Sequence, residues 1–112
     1  MRKETGTTTR DRRMASNKTR IIKLLSNDHN NYRININKMG GIKPGVSRVN
    51  STISYEKAIE LFEKHKNENI NAGIHGVMGG YRIVASIDIL DNAGNVIHRE
   101  WCESIEDLSF LQ

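Results

Sequence analysis

From Tyr81 to Leu90 the chain alternates in a way that constrains everything around it. In YRIVASIDIL, Tyr81, Ile83, Ala85, Ile87 and Ile89 fall on one side of an extended backbone. Arg82, Ser86 and Asp88 fall on the other, joined by Val84. Successive side chains of a strand point to opposite faces, so this pattern describes a strand with one face in a core and one face polar. Such a strand needs neighbours to complete its ladder and an apolar layer to cover one side.

Both are written elsewhere in the chain. Tyr32, Ile34 and Ile36 point one way, while Arg33, Asn35 and Asn37 point the other and are expected on an exposed strand face. Gly40-Gly41 and Pro44-Gly45 punctuate a long connection, after which Val46 to Ile53 resumes an extended pattern. Asp91-Asn92-Ala93-Gly94-Asn95 is turn chemistry, with Val96 to Cys102 returning as the partner strand. Ser54 suits an N-cap, and Tyr55, Ala58, Ile59 and Phe62 follow a helical apolar stripe that Asn67-Glu68-Asn69 can end. Ser104-Ile105-Glu106-Asp107 resembles a capping arrangement for a terminal helix lined by Ile105, Leu108 and Leu111. Ile21, Leu24 and Leu25 form the stripe of a short helix over 17–26.

The order is therefore ββα twice, over 32–67 and 81–112. Tyr32-Arg33-Ile34 and Tyr81-Arg82-Ile83 lie 49 residues apart, and Ser54 and Ser104 lie 50 apart. The expected fold is α+β: an antiparallel sheet of about four strands with two helices on one face, plus the short N-terminal helix. Residues 1–14, MRKETGTTTRDRRM, have no apolar period and read as a flexible, disordered basic arm ahead of a single domain over 15–112. The first unit resembles ββα DNA-binding modules of the integrase-arm type, in which a basic sheet face precedes a helix. Here Ser54-Tyr55-Glu56-Lys57-Ala58-Ile59 matches the start of that helix. The resemblance covers about a third of the chain. The usual third strand has no counterpart, and the hairpin tip lacks dense Arg and Trp.

The formal charge of +4 conceals a polarity. The first 48 residues hold 12 Lys/Arg and 3 Asp/Glu (net +9), and the rest hold 5 and 10 (net −5). Such a split sets an anion-seeking surface against a scaffold. There is no apolar run long enough to span a membrane and no apolar segment of a secretory signal, so a cytoplasmic location is expected. Cys102, the one cysteine, fits a reducing compartment. A domain of this size gains stability from a partner or from homo-oligomerisation.

Catalytic patterns are missing: no phosphate-binding loop, nucleophile elbow, zinc-protease helix or cysteine pair occurs. No enzyme, metal or cofactor is expected. His98 and Cys102 do not have a zinc spacing for a strand, and Asp88 and Asp91 read as turn residues flanking a hairpin tip. The binding candidates are basic. Arg10, Arg12, Arg13, Lys18, Arg20 and Lys23 cluster before the first strand, and Arg33, Asn35, Lys38, Lys43 and Arg48 lie on or beside the first hairpin. Arg and Asn contact phosphates, base edges or acidic protein surface. The leading expectation is an accessory or regulatory protein that binds nucleic acid. The second is an inhibitor of phage or mobile-element type, anti-CRISPR-like, that binds a nucleic-acid-handling or defence protein. A third is an anionic small-ligand binder that uses Gly76, Gly79, Gly80 and Arg82, where a glycine-rich loop could expose its N–H groups.

Overall fold

The structure is a computed structural model that describes residues 9–27, 29–40, 45–74 and 81–112, with the backbone alone for 9–15 and 69–74. The elements run α1 (Thr9–Leu25), β1 (Asn31–Gly40), β2 (Val46–Thr52), α2 (Tyr55–Ile74), β3 (Tyr81–Leu90), β4 (Val96–Cys102) and a terminal 3₁₀ helix (Ile105–Leu111). The strands form one antiparallel sheet in the order β2-β1-β3-β4. Each hairpin contributes an inner and an outer strand, and the inner strands β1 and β3 join the two ββα units at the centre.

Alternation decides which side is covered. Ile34 and Ile36 of β1 and Ala85, Ile87 and Ile89 of β3 are all 0 % exposed. Against them pack Ile21 of α1, Tyr55, Ala58 and Leu61 of α2, and Ile105 and Leu108 of the terminal helix. Every helix among the described residues thus packs through this one side of the sheet. Burying an isoleucine this fully is worth about 1.5–3 kcal/mol, so the central pair of strands anchors the core.

Local chemistry sets the ends of the elements. The Ser54 hydroxyl accepts from the Lys57 N–H at 3.2 Å and caps α2. The Asp107 carboxylate accepts from the N–H groups of Glu103 and Ser104 at 3.0 and 3.2 Å and fastens the terminal helix to the end of β4. In the β3–β4 turn Asp91 Oδ1 accepts from the N–H groups of Ala93 and Asn95, and Gly94 takes φ +86°, a conformation that costs a residue without a Cβ little.

Two boundaries differ from expectation. The first helix begins at Thr9, not near Asn17, so residues 9–14 of the expected arm are helical. They have no apolar stripe, but Arg12, Arg13, Met14 and Ala15 are good helix formers, and extending an existing helix is far easier than starting one. Likewise α2 passes through Asn67-Glu68-Asn69 to Ile74. Asparagine is a weak stop, and the His65–Glu68 contact of 3.0 Å bridges the point where the end was expected.

Replacing Ile87 with alanine should lower unfolding stability in urea by about 2–4 kcal/mol, because the central strand cannot collapse into the gap. Ile53, 63 % exposed, serves as the control: Ile53→Ala should change stability by no more than about 0.5 kcal/mol.

Candidate functional site

The side of the sheet away from the helices is where polar residues gather. Arg33, Asn35 and Asn37 of β1 face this way, with Ser86 and Asp88 of β3, and Arg99 and Trp101 of β4. Register brings them together: Asn35 lies opposite Ser86, Arg33 opposite Asp88, Asp88 opposite Arg99, and Ser86 opposite Trp101. On β2 a bulge intervenes. Asn50 lies opposite Ile36 and Arg48 opposite Asn37, so Val49 is the extra residue. Strict alternation from Ser51 would turn Arg48 toward the helices. The bulge instead brings Arg48 and Val46 onto the open face and lets Val49 pack against the core.

Asp88 is the centre of this face and is 0 % exposed. Arg99 grips both carboxylate oxygens, with Nε on Oδ1 and Nη2 on Oδ2 at 3.0 Å. Arg33 Nη2 donates to Oδ2 at 2.9 Å. Arg48 stands 3.7 Å away, in ion-pair range but beyond a hydrogen bond. Burial alone would raise the Asp88 carboxyl, yet hydrogen bonds from Arg99, Arg33 and Asn35, with the Arg99 charge, outweigh it and hold the pKa down at about 2. Three guanidinium groups against one carboxylate leave a surplus of positive charge. The three arginine side chains stay partly exposed, at 29 %, 41 % and 42 %, around a carboxylate that is wholly covered.

Beside this cluster the face dips into a concavity of about 330 Å³ bordered by Val46, Arg48, Arg99 and Trp101. Its floor is made by Asn35, Asn37 and Ser86. Asn37 Nδ2 donates to Ser86 Oγ at 3.2 Å and to Val84 O at 3.3 Å, and Asn35 Nδ2 donates to Ser86 Oγ at 3.3 Å. Asn35 Oδ1 is buried with no hydrogen-bond partner, as is Arg33 Nε. Trp101, 44 % exposed, stands at the rim and also borders a second depression of about 450 Å³ that holds Met39, Arg82 and Val84.

The expected site residues separate into groups. Arg33, Asn35 and Arg48 meet on this face, but Asn35 and Asn37 are 1 % and 4 % exposed, so they form a floor and not the exposed strand surface expected of them. β1 is an inner strand, and Asn35 and Asn37 are flanked by Ser51 and Arg48 of β2 on one side and by Ser86 and Val84 of β3 on the other, which explains the difference. Arg82 is on the same face and donates to Met39 Sδ at 3.3 Å. Lys18, Arg20 and Lys23 ride on α1, in the opposite layer. Lys18 Nζ sits 5.7 Å from the centre of the Phe110 ring, and Arg20 pairs with Glu100 at 2.9 Å. Lys38 Nζ lies 4.8 Å from the Tyr81 ring centre. Arg10, Arg12 and Arg13 fall in the helical backbone of α1. Lys43, Gly76, Gly79 and Gly80 lie outside the described residues.

Ser86, Asp88, Arg99 and Trp101 were not among the expected binding residues. The alternation of YRIVASIDIL already placed Ser86 and Asp88 opposite the core, so half of the signal was present. Asp91 performs the turn chemistry expected of both aspartates, whereas Asp88 lies within the strand and binds arginine. On the helix side, the Cys102 thiol is pushed up to about 12 by burial, with Asp107 and Glu100 adding to the effect. Among the described residues no group of three His, Cys, Asp or Glu is placed to hold a metal.

Asp88 yields a pH test. Its carboxyl titrates at 3.8 without the fold and at about 2 within it. A depressed value contributes stability that is complete above the unfolded value and is lost as pH falls through the folded one, here worth about 2 kcal/mol. The urea-stability gap between the wild-type chain and Asp88→Asn should therefore shrink by about that amount between about pH 6 and about pH 2. A gap that stays constant would show that the arginines do not hold the carboxylate.

No protein-family model matches the chain, and no match was found to a curated protein or to a solved structure.

Proposed function

We propose that this protein is a small non-enzymatic nucleic-acid-binding protein that works through the helix-free face of its sheet. The observation that carries this reading is the convergence of Arg33, Arg48 and Arg99 on a single buried carboxylate. One acid neutralises one cation, so the face retains positive charge and guanidinium donors in a fan. Guanidinium heads present up to five N–H groups each and match phosphate oxygens in pairs. Arg48 is the most available, since its contact with Asp88 is longer than a hydrogen bond. Neighbouring amides and an exposed indole add groups that suit bases as well as phosphates.

A second reading has its own support. Val46, Val96 and Trp101 of this face are exposed, and apolar groups set among cations also suit a protein surface, as in an inhibitor of a nucleic-acid-handling protein. The two readings part on direct binding. Fluorescence anisotropy with labelled DNA and RNA at low and moderate salt should reveal affinity that falls with salt, with a slope of about −1.5 to −2 if the two cations left in surplus meet phosphates. Arg48→Gln should keep the fold and reduce the magnitude of the slope by about 1. Absence of binding at low salt would remove the nucleic-acid reading and leave the protein partner.

A further inference from the structure

We infer that the nucleic acid taken by this face is single-stranded, with one base seated against Trp101 above the Asn35–Asn37–Ser86 floor and adjoining phosphates held by Arg48 and Arg99. The inference rests on the nucleic-acid reading above and names the form of ligand that the same site takes.

Depth is the first reason. The concavity sinks between Arg48, Arg99, Val46 and Trp101 to amides that are almost wholly buried. Its volume of about 330 Å³ lies at the small end of pockets that hold compact ligands, and is suited to a base but not to a helix. A duplex could lay phosphates on the arginines, but its bases would have to leave their stack to enter, at a cost of a few kcal/mol per base. A single strand has its bases already available.

Chemistry of the floor is the second. Asn35 Oδ1 is a buried acceptor with no donor. Unmet buried acceptors are uncommon and costly, and a base edge carries an N–H that would satisfy this one once the Asn35 amide turns from its solvent-shielded position toward the concavity it lines. The amide donors nearby are already engaged: Asn37 Nδ2 on Ser86 and Val84, Asn35 Nδ2 on Ser86. What the floor still seeks is a donor, and the arginines above it seek an anion. A nucleotide offers both, a few bonds apart.

Continuity is the third. Trp101 divides two depressions, and the second contains Arg82 beside Met39 and Val84, with Glu103 at its border. A strand leaving the first concavity over the indole meets another guanidinium on the same face, so the track spans more than one nucleotide. Base–aromatic stacking tolerates any base, so this track predicts weak sequence preference.

Trp101 is the sole tryptophan, so its fluorescence reports on the site directly. The full chain is titrated with an oligo(dT) strand, with the same strand annealed to its complement, and with an abasic strand of equal length. Quenching of Trp101 by oligo(dT), with little quenching by the duplex or the abasic strand, is the expected result. Trp101→Ala should bind oligo(dT) about tenfold more weakly by anisotropy, and Trp101→Phe should recover part of the loss. If Trp101→Ala does not fold, the wild-type quenching series decides alone. Equal quenching and affinity for duplex and single strand, or quenching by the abasic strand as strong as by oligo(dT), would overturn the single-strand inference while leaving nucleic-acid binding in place. No anisotropy change with any strand at low salt would overturn both.

Discussion

A carboxylate buried at the centre of a sheet must be compensated or neutralised, and Asp88 is compensated. Removing an ion from water costs several kcal/mol, which only close, well-directed partners repay. Arg99 supplies two contacts, Arg33 a third, and Arg48 a more distant charge. The organisation of the open face follows from this requirement. It draws cations from β1, β2 and β4 onto one point of β3, and so crosses all four strands of the sheet. It also leaves the face with more positive charge than the aspartate can cancel.

The geometry that satisfies Asp88 depends on pairing between residues distant in sequence. Arg33 and Asp88 belong to different ββα units and meet because β1 and β3 run antiparallel in a register that places them opposite each other. The same register sets Ile34 against Ile87 on the other side, in the core. A slip of one residue would put the isoleucines on the open side and the charged groups into the helices. Hydrophobic burial therefore selects the register, and the arginine cluster comes with it.

The rows of alternating residues made the strands and their covered face legible. Period-two patterns at Tyr32–Asn37 and Tyr81–Leu90 and the helical stripe after Ser54 match the sheet, its layers and α2. Helix ends were less legible, because Thr9–Ala15 has no apolar stripe to mark it, Ile70 and Ile74 follow an Asn-rich break that reads as a stop, and helix extension is decided by small propensities. The site was legible only in fragments. Arg33, Asn35 and Arg48 stood out by type, but Arg99 and Trp101 sat in a short strand with no pattern of their own, and Asp88 resembled a turn residue because it lies near Asp91. Net charge by halves pointed to the first 48 residues, yet Arg99, from the acidic half, holds the centre of the cluster, while Lys18 and Arg20 are engaged in the opposite layer.

Taken alone, the order of residues determined that β1 and β3 each have an apolar and a polar side, that helices follow both hairpins, and that cations exceed acids early in the chain. These are properties of neighbours along the backbone, where strand and helix periods act directly. Only the folded arrangement decided that the two polar sides adjoin, that the β2 bulge turns Arg48 toward Asp88, and that Asn35 and Asn37 end up beneath a cavity and not on its outside. Those outcomes depend on pairing across the sheet, and the same side chain is solvent-exposed on an isolated strand and buried once strands pair on either side of it.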